Sequence, residues 1–195
     1  MARIKIEVLS HFLFDEKMKS LNLNDDNVED TNMAFISIIG TQECLKYYLE
    51  EEDTKHYFKD HRNVLNLDFD DIGTDVIYNG HHLRTLRIEE AEKAVDFIEN
   101  VILSGVEEIK IHCRAGYSRS RAFAEWIFRY CNENGIEVEY EDRNDYTTML
   151  NSSVLRKLNH AYWKKYHLEC YEDANADYPK EIKEIEIKTI NIDDF

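Results

Sequence analysis

Short stretches in which apolar and polar residues alternate, or in which apolar residues run together, predict β-strands along this chain. The predicted strands are residues 3–9, 33–39, 64–69 and 107–112, while 136–140 is either a further strand or an extended connection. Apolar residues at helical spacing follow most of these strands. Strands that alternate with helices indicate parallel pairing with right-handed crossovers. We therefore expect an α/β fold with a central, mostly parallel sheet of four to five strands flanked by helices.

Start and stop signals place the helices. Ser10 is expected to cap a first helix through Phe14 and Met18, and Gly105 to end the clearest helix, which runs from Ile88 to Leu103. Three more helices are predicted: a short one capped by Thr41, one over 119–132, and a last one capped by Asn151 or Ser152.

The length of 195 residues indicates one domain, which we place at residues 1–168. The remainder, 169–195, is acidic and contains the only proline, Pro179. Its isoleucines are spaced among charges, which fits an added edge strand, whereas its terminal position fits a partly disordered tail.

The formal net charge is −16, which argues against nucleic acids and anionic membranes as partners of the whole surface. The sequence has no apolar run of membrane-spanning length and no signal-peptide pattern at its start. The four cysteines show neither paired nor zinc-site spacing, so no metal or cofactor is expected. A reducing, cytoplasmic location is the corresponding prediction.

One stretch, residues 111–121 with the sequence IHCRAGYSRSR, carries the densest chemistry. It connects a predicted strand to a predicted helix, where backbone N–H groups converge and the helix dipole adds positive charge. Such a turn can hold a phosphate-like anion, and Gly116 allows the backbone to fold tightly around it. The stretch therefore predicts an anion-binding loop.

Within this loop, Arg119 follows Cys113 by six residues and can return a planar fork of donors to the same anion. Cys113 would then lie beneath the anion, where the same donors favour a nucleophilic thiolate. Arg114 and Arg121 supply further local positive charge, although Arg121 is equally consistent with an ordinary exposed helix residue. Tyr117 either lines the entrance to the site or packs against the core.

The run His112-Cys113-x5-Arg119-Ser120 resembles the signature of the cysteine-dependent protein tyrosine phosphatases, and most of all their dual-specificity branch. The resemblance implies that Cys113 attacks phosphorus to form a cysteinyl-phosphate and that Arg119 binds the phosphoryl oxygens. It implies that Ser120 hydrogen-bonds the sulfur and helps it leave, and that His112 orders the loop and tunes the thiolate. The substrate-binding remainder of the loop would be Arg114, Ala115, Gly116, Tyr117 and Ser118.

Cleavage of a phosphate ester also needs an acid to protonate the leaving oxygen. By the same resemblance, the acid lies where a strand gives way to a loop. Asp68, Asp70 and Asp71 compete for this role, but Asp68 would lie inside the predicted strand. Asp71 is the first choice, Asp70 is the alternative, and Asp75 is a less favoured third. Asp71 and Cys113 are farther apart in sequence than the family usually shows, so 74–87 is predicted to be an insertion. Its His81-His82 pair fits a flexible loop over the cleft better than a metal site.

The resemblance implies a phosphatase that hydrolyses phosphotyrosine, with phosphoserine and phosphothreonine as an extension, in phosphorylated proteins or peptides. A phosphoinositide, an inositol polyphosphate or an RNA 5′-phosphate ranks lower, because relatives with those substrates are more basic. A non-catalytic phosphate-binding module is a further alternative. Sulfur transfer or arsenate reduction would need a resolving thiol, and Cys131 is expected to be buried. The oligomeric state and the physiological substrate are left open.

Overall fold

The computed structural model describes residues 3–41, 55–140 and 150–166, together with the backbone of 183–185. Its strands are β1 (Arg3–Ser10), β2 (Met33–Ile39), β3 (Val64–Asp68), β4 (Val76–Tyr78), β5 (His81–Leu83), β6 (Glu108–Cys113), β7 (Glu137–Tyr140) and β8 (Lys183–Ile185). Five of them form one sheet in the order β3-β2-β6-β1-β7, and every neighbouring pair is parallel. The predicted α/β fold with a parallel central sheet is confirmed.

Helices cover both faces of this sheet. They are α1 (His11–Ser20), α2 (Ile88–Leu103), α3 (Arg119–Glu133) and α4 (Ser152–Tyr166), and a short 3-10 helix spans Val28–Asp30. The α1 side has a small core in which Phe14 and Met18 pack with Phe35 and Val64. The opposite side has the larger core, to which α2, α3 and α4 contribute their buried apolar residues. Strand β6 lies at the centre of the sheet, so the segment that follows it emerges between the two layers.

The predicted caps are observed. The Ser10 side chain accepts a hydrogen bond from the Leu13 backbone at the start of α1, over 3.2 Å. The Asn151 side-chain oxygen accepts from Val154 N over 3.1 Å at the start of α4. Gly105 follows α2 with a φ of +84°, in the left-handed region that helix C-termini favour. These local signals determine where α1 and α4 begin and where α2 ends.

The prediction of a flexible loop over 74–87 is wrong. Strands β4 and β5 pair as an antiparallel hairpin, and β4 also pairs in parallel with β8. The hairpin turns at Asn79-Gly80, where both residues have positive φ. An Asn-Gly pair between extended segments is a strong signal for such a two-residue turn, and it accounts for the hairpin.

Two buried aspartates anchor the hairpin at its ends. Asp70 Oδ2 accepts from Arg84 N over 2.9 Å, and Asp75 Oδ1 accepts from Thr85 N over 2.8 Å. Burial alone would raise the pKa of Asp75, but its hydrogen bonds from Thr85 and the charge of Arg87 lower it. The Asp75 contact closes the base of the hairpin, and the Asp70 contact joins that base to the end of β3, so the hairpin lies beside the end of β3.

Some predictions fall outside the described residues. The short helix after Thr41 would occupy part of 42–54, and most of 169–195 is likewise not described. The division into 1–168 and 169–195 therefore stays a prediction. Among the described helices, none combines the length and the apolar character required to cross a bilayer.

Candidate active site

The loop predicted to bind an anion lies at the carboxyl end of β6. Cys113 is the last residue of that strand and is paired in register with Ser10 of β1. His11 N donates to Arg114 O over 3.1 Å, which joins the start of α1 to the loop. Gly116 has a φ of +75°, and a Cβ there would lie 2.8 Å from Ser10 N. The tight turn around Gly116 therefore requires glycine both for its backbone conformation and for the closeness of β1.

The Cys113 thiol is buried at the base of this loop, with its sulfur 3.1 Å from the Ser120 hydroxyl oxygen. Burial alone would raise the pKa of Cys113. The positive charge of Arg119, the Ser120 hydroxyl and the backbone N–H groups of Ser120 and Gly116 outweigh burial and lower that pKa. The donors at the start of α3 thus favour the thiolate, which is the nucleophilic form.

Arg119 is the first residue of α3, and its guanidinium contacts Phe69, which directly follows β3. Its Nη1 donates to Phe69 O over 2.7 Å, and its Cζ lies 5.9 Å from the centre of the Phe69 ring. The buried Nε has no hydrogen-bond partner among the described residues. A buried donor without a partner is costly, so a guanidinium held in this way is suited to an oxyanion ligand.

Asp71 lies on the exposed rim of the loop, where the sequence analysis places its first-choice acid. Its Oδ1 accepts from Ser118 Oγ over 2.7 Å and from Asn151 Nδ2 over 2.8 Å. Ser118 belongs to the anion loop, and Asn151 caps α4. The sequence predicts Asn151 or Ser152 only as a helix cap, because nothing in it signals a contact between residues 80 positions apart.

The other aspartates make different contacts. Asp70 is buried, and its carboxylate accepts from the backbone and the hydroxyl of Thr41 and from Arg84 N. Asp68 Oδ1 lies 3.1 Å from His56 Nε2, on the outer strand of the sheet. Asp75 is bound by the hairpin. Of the aspartates considered, Asp71 is the one that hydrogen-bonds to the anion loop in the described part of the chain.

His112 is fully buried beneath the loop. Its ring lies 4.2 Å from the Phe14 ring and 5.0 Å from the His11 ring, and neither ring nitrogen has a hydrogen-bond partner within the described ranges. Burial first, and then the charges of His11, His56 and Arg119, hold the pKa of His112 well below its usual range. The ring is therefore neutral and contributes packing against α1, whereas Arg119 supplies the positive charge near the thiolate.

The remaining residues of the loop separate into exposed and buried ones. Arg114, Ala115 and Tyr117 are exposed, so Tyr117 does not pack in the core. Arg121 is buried, so it does not occupy an ordinary exposed position on the helix. Cys131 is buried as predicted, and burial raises its pKa to about 11. The described residues contain no cluster of side chains that could hold a metal ion.

Comparison with known proteins adds little. No family model matches the chain, and no curated protein matches it. One solved structure, the crystal structure of PTPMT1 in complex with PI(5)P, is similar to this chain. The aligned region covers 83% of this chain and 94% of that one, with 11% sequence identity and a TM-score of 0.36. A similarity at this level assigns neither a substrate nor a residue's role. The functional conclusion therefore depends on the geometry around Cys113.

Proposed function

We propose that this chain is a cysteine-dependent phosphatase that hydrolyses phosphotyrosine in proteins or peptides, and by extension phosphoserine and phosphothreonine. The observation that carries the proposal is the pairing of a buried Cys113 with a lowered pKa and the Arg119 guanidinium in one loop. Asp71, held at the rim of that loop by Ser118, supplies the acid. A reducing compartment such as the cytoplasm belongs to the proposal, because the nucleophile must remain a thiolate.

In the first step, the loop amides and Arg119 bind the phosphoryl oxygens and place phosphorus in line with the Cys113 sulfur. The thiolate forms an S–P bond while the ester P–O bond breaks. The leaving oxygen takes a proton from the Asp71 carboxyl group, so it departs as a neutral alcohol or phenol. The products of this step are a cysteinyl-phosphate and an ionised Asp71.

In the second step, the Asp71 carboxylate accepts a proton from a water molecule, whose oxygen attacks phosphorus. The S–P bond breaks, and its electron pair returns to the Cys113 sulfur as a thiolate. The Ser120 hydroxyl, 3.1 Å from that sulfur, stabilises the departing negative charge. Inorganic phosphate leaves, and Asp71 is protonated again for the next cycle.

The test is release of phosphate from p-nitrophenyl phosphate and from phosphotyrosyl, phosphoseryl and phosphothreonyl peptides, with EDTA present. Cys113→Ser should abolish release yet keep phosphopeptide binding, and Cys131→Ser is the matched cysteine control that should remain active. Retained turnover in the Cys113→Ser variant would overturn the proposed chemistry. Hydrolysis of a phosphoinositide, an inositol polyphosphate or an RNA 5′-phosphate in preference to the peptides would change the substrate and leave the chemistry unchanged.

A further inference from the structure

Large apolar side chains are exposed around the anion loop of this acidic protein. Phe12 is 69% exposed, Leu13 53%, Tyr117 58% and Leu150 38%. We call these four residues the apolar rim. Single exposed apolar residues are ordinary, but several of them beside one polar site are typical of a binding surface.

The backbone contacts place the apolar rim next to Cys113. Phe12 and Leu13 occupy the first turn of α1, directly after Ser10, the register partner of Cys113. The His11 N–H bond to Arg114 O fixes that turn against the loop. Tyr117 is part of the loop itself. Leu150 precedes Asn151, whose backbone N–H lies 3.4 Å from Ser118 O.

Folding does not require the rim residues of α1 to be apolar. The inward face of α1 is formed by Phe14 and Met18, which are fully buried. Leu13 contributes its backbone N–H to the Ser10 cap, and that contact does not depend on its side chain. The apolar side chains of Phe12 and Leu13 lie outside the described core and are therefore available to a ligand.

The charge of the protein indicates the kind of ligand. A net charge of −16 repels anionic membranes and acidic peptides at separations shorter than the screening length of the surrounding salt solution. An apolar rim around an anion loop instead matches a ligand whose only negative group is its phosphate and whose neighbouring groups are apolar. We propose that the rim binds the segment that flanks the phosphorylated residue in a neutral or basic peptide, so that apolar flanking residues determine specificity. This inference rests on the proposed function and names the substrate class of the same site.

The experiment compares two phosphotyrosyl peptides of equal length and charge, one with leucine and phenylalanine beside the phosphotyrosine and one with serine and glycine. We expect a kcat/KM at least about tenfold higher for the apolar peptide, as burial of one or two large side chains would give. Phe12→Ser and Leu13→Ser should remove that preference through KM, with p-nitrophenyl phosphate turnover unchanged.

Leu103→Ser is the matched control, because Leu103 is 82% exposed at the end of α2, near the amino ends of the strands. It should leave both peptides unaffected. Equal kcat/KM for the two peptides, or an equal effect of Leu103→Ser, would overturn the inference. Binding to phosphoinositide-containing vesicles that depends on Phe12 would overturn it in favour of a membrane. Turnover of p-nitrophenyl phosphate tests the proposed function separately, so the two ideas can fail independently.

Discussion

The Ser118 hydroxyl donates a 2.7 Å hydrogen bond to Oδ1 of Asp71, across the gap between the anion loop and the end of β3. The side-chain amide of Asn151 donates to the same oxygen over 2.8 Å. One carboxylate oxygen thus joins the loop, the proposed acid and the start of α4. Because both contacts use Oδ1, we expect Oδ2 to be the oxygen that carries the proton to the leaving group.

Asn151 should position the acid as well as cap α4, and two substitutions separate these roles. Asn151→Ala removes both the cap and the amide donor, so it should lower the free energy of unfolding by about 1 kcal/mol and also lower kcat. Asn151→Ser restores a cap but lacks the amide that reaches Asp71. We expect near-native stability with kcat reduced about tenfold or more, because the hydrogen bond that orients the Asp71 carboxyl group is lost. A serine variant with native kcat in steady-state assays would show that Asn151 acts only as a cap.

Asp71 and Asp70 should respond differently to the same isosteric change. Asp71→Asn removes the proposed acid, and loss of such a group typically lowers the rate by about 10²–10⁴-fold. The loss should be largest for alkyl phosphates and smallest for p-nitrophenyl phosphate, whose leaving group needs little protonation. Because Asp71 is exposed, the melting temperature of the Asp71→Asn variant should differ little from that of the unmodified protein.

Asp70→Asn is the matched variant, and it should mainly lower the melting temperature. Its carboxylate is buried and accepts from Thr41 and Arg84, so the amide leaves some of those donors without an acceptor. Rates measured on both leaving groups, together with thermal denaturation, distinguish the two residues. A larger leaving-group dependence in the Asp70 variant would exchange their roles.

The sequence predicts the sheet and the loop well because their signals are local. The apolar run of β2, the strand-to-helix turn at Gly116 and the caps at Ser10 and Asn151 each depend on adjacent residues. The bond from Asn151 to Asp71 depends instead on how α4 meets the end of β3, and no spacing in the sequence encodes that approach. The choice between Asp70 and Asp71 is of the same kind, because adjacent aspartates differ only in the partners that the fold gives them.

The hairpin shows a different limit. Its Asn79-Gly80 turn is a local signal, but the strands on either side of it have three residues each, too few to show an alternating pattern. The environment of His112 shows a third limit. Its neutral state follows from burial beside other positive groups, and burial depends on the packing of α1 onto the sheet.

Alkylation by iodoacetate should distinguish the two described cysteines by pH. The pKa of Cys113 is lowered in the fold, so its thiolate should form, and its reaction should begin, at a lower pH than the ordinary thiol pKa of 9.0 would give. The pKa of Cys131 is raised to about 11, so that residue should stay unmodified at neutral pH. Peptide-level mass spectrometry after timed labelling measures both. Inorganic phosphate should protect Cys113, because it would occupy the loop above the sulfur.

The same shift has a consequence for stability. The pKa of Cys113 is lower in the folded state than in the unfolded one. The Cys113 thiolate therefore stabilises the fold above its unfolded pKa, and that contribution is lost as pH falls through the folded value.

Ser120→Ala removes one of the contacts that lower the pKa of Cys113, so the onset of labelling should move to higher pH. Equal labelling profiles for Cys113 and Cys131 would contradict the electrostatic account of the site.

Two glycines with similar backbone conformations allow the closeness of β1 to the loop to be tested. Gly116 has a φ of +75° and Gly105 a φ of +84°, so alanine at either position should cost about 1–2 kcal/mol of backbone strain. A Cβ at Gly105 meets nothing within 4 Å, whereas one at Gly116 would lie 2.8 Å from Ser10 N and 2.9 Å from Leu9 O. Gly116→Ala should therefore lower the free energy of unfolding by more than Gly105→Ala and also displace the loop, with loss of turnover and of phosphate protection at Cys113. Chemical denaturation and phosphatase assays on both variants measure these effects. If Gly116→Ala were no worse than Gly105→Ala in either assay, the tight contact between β1 and the loop would not be what shapes the site.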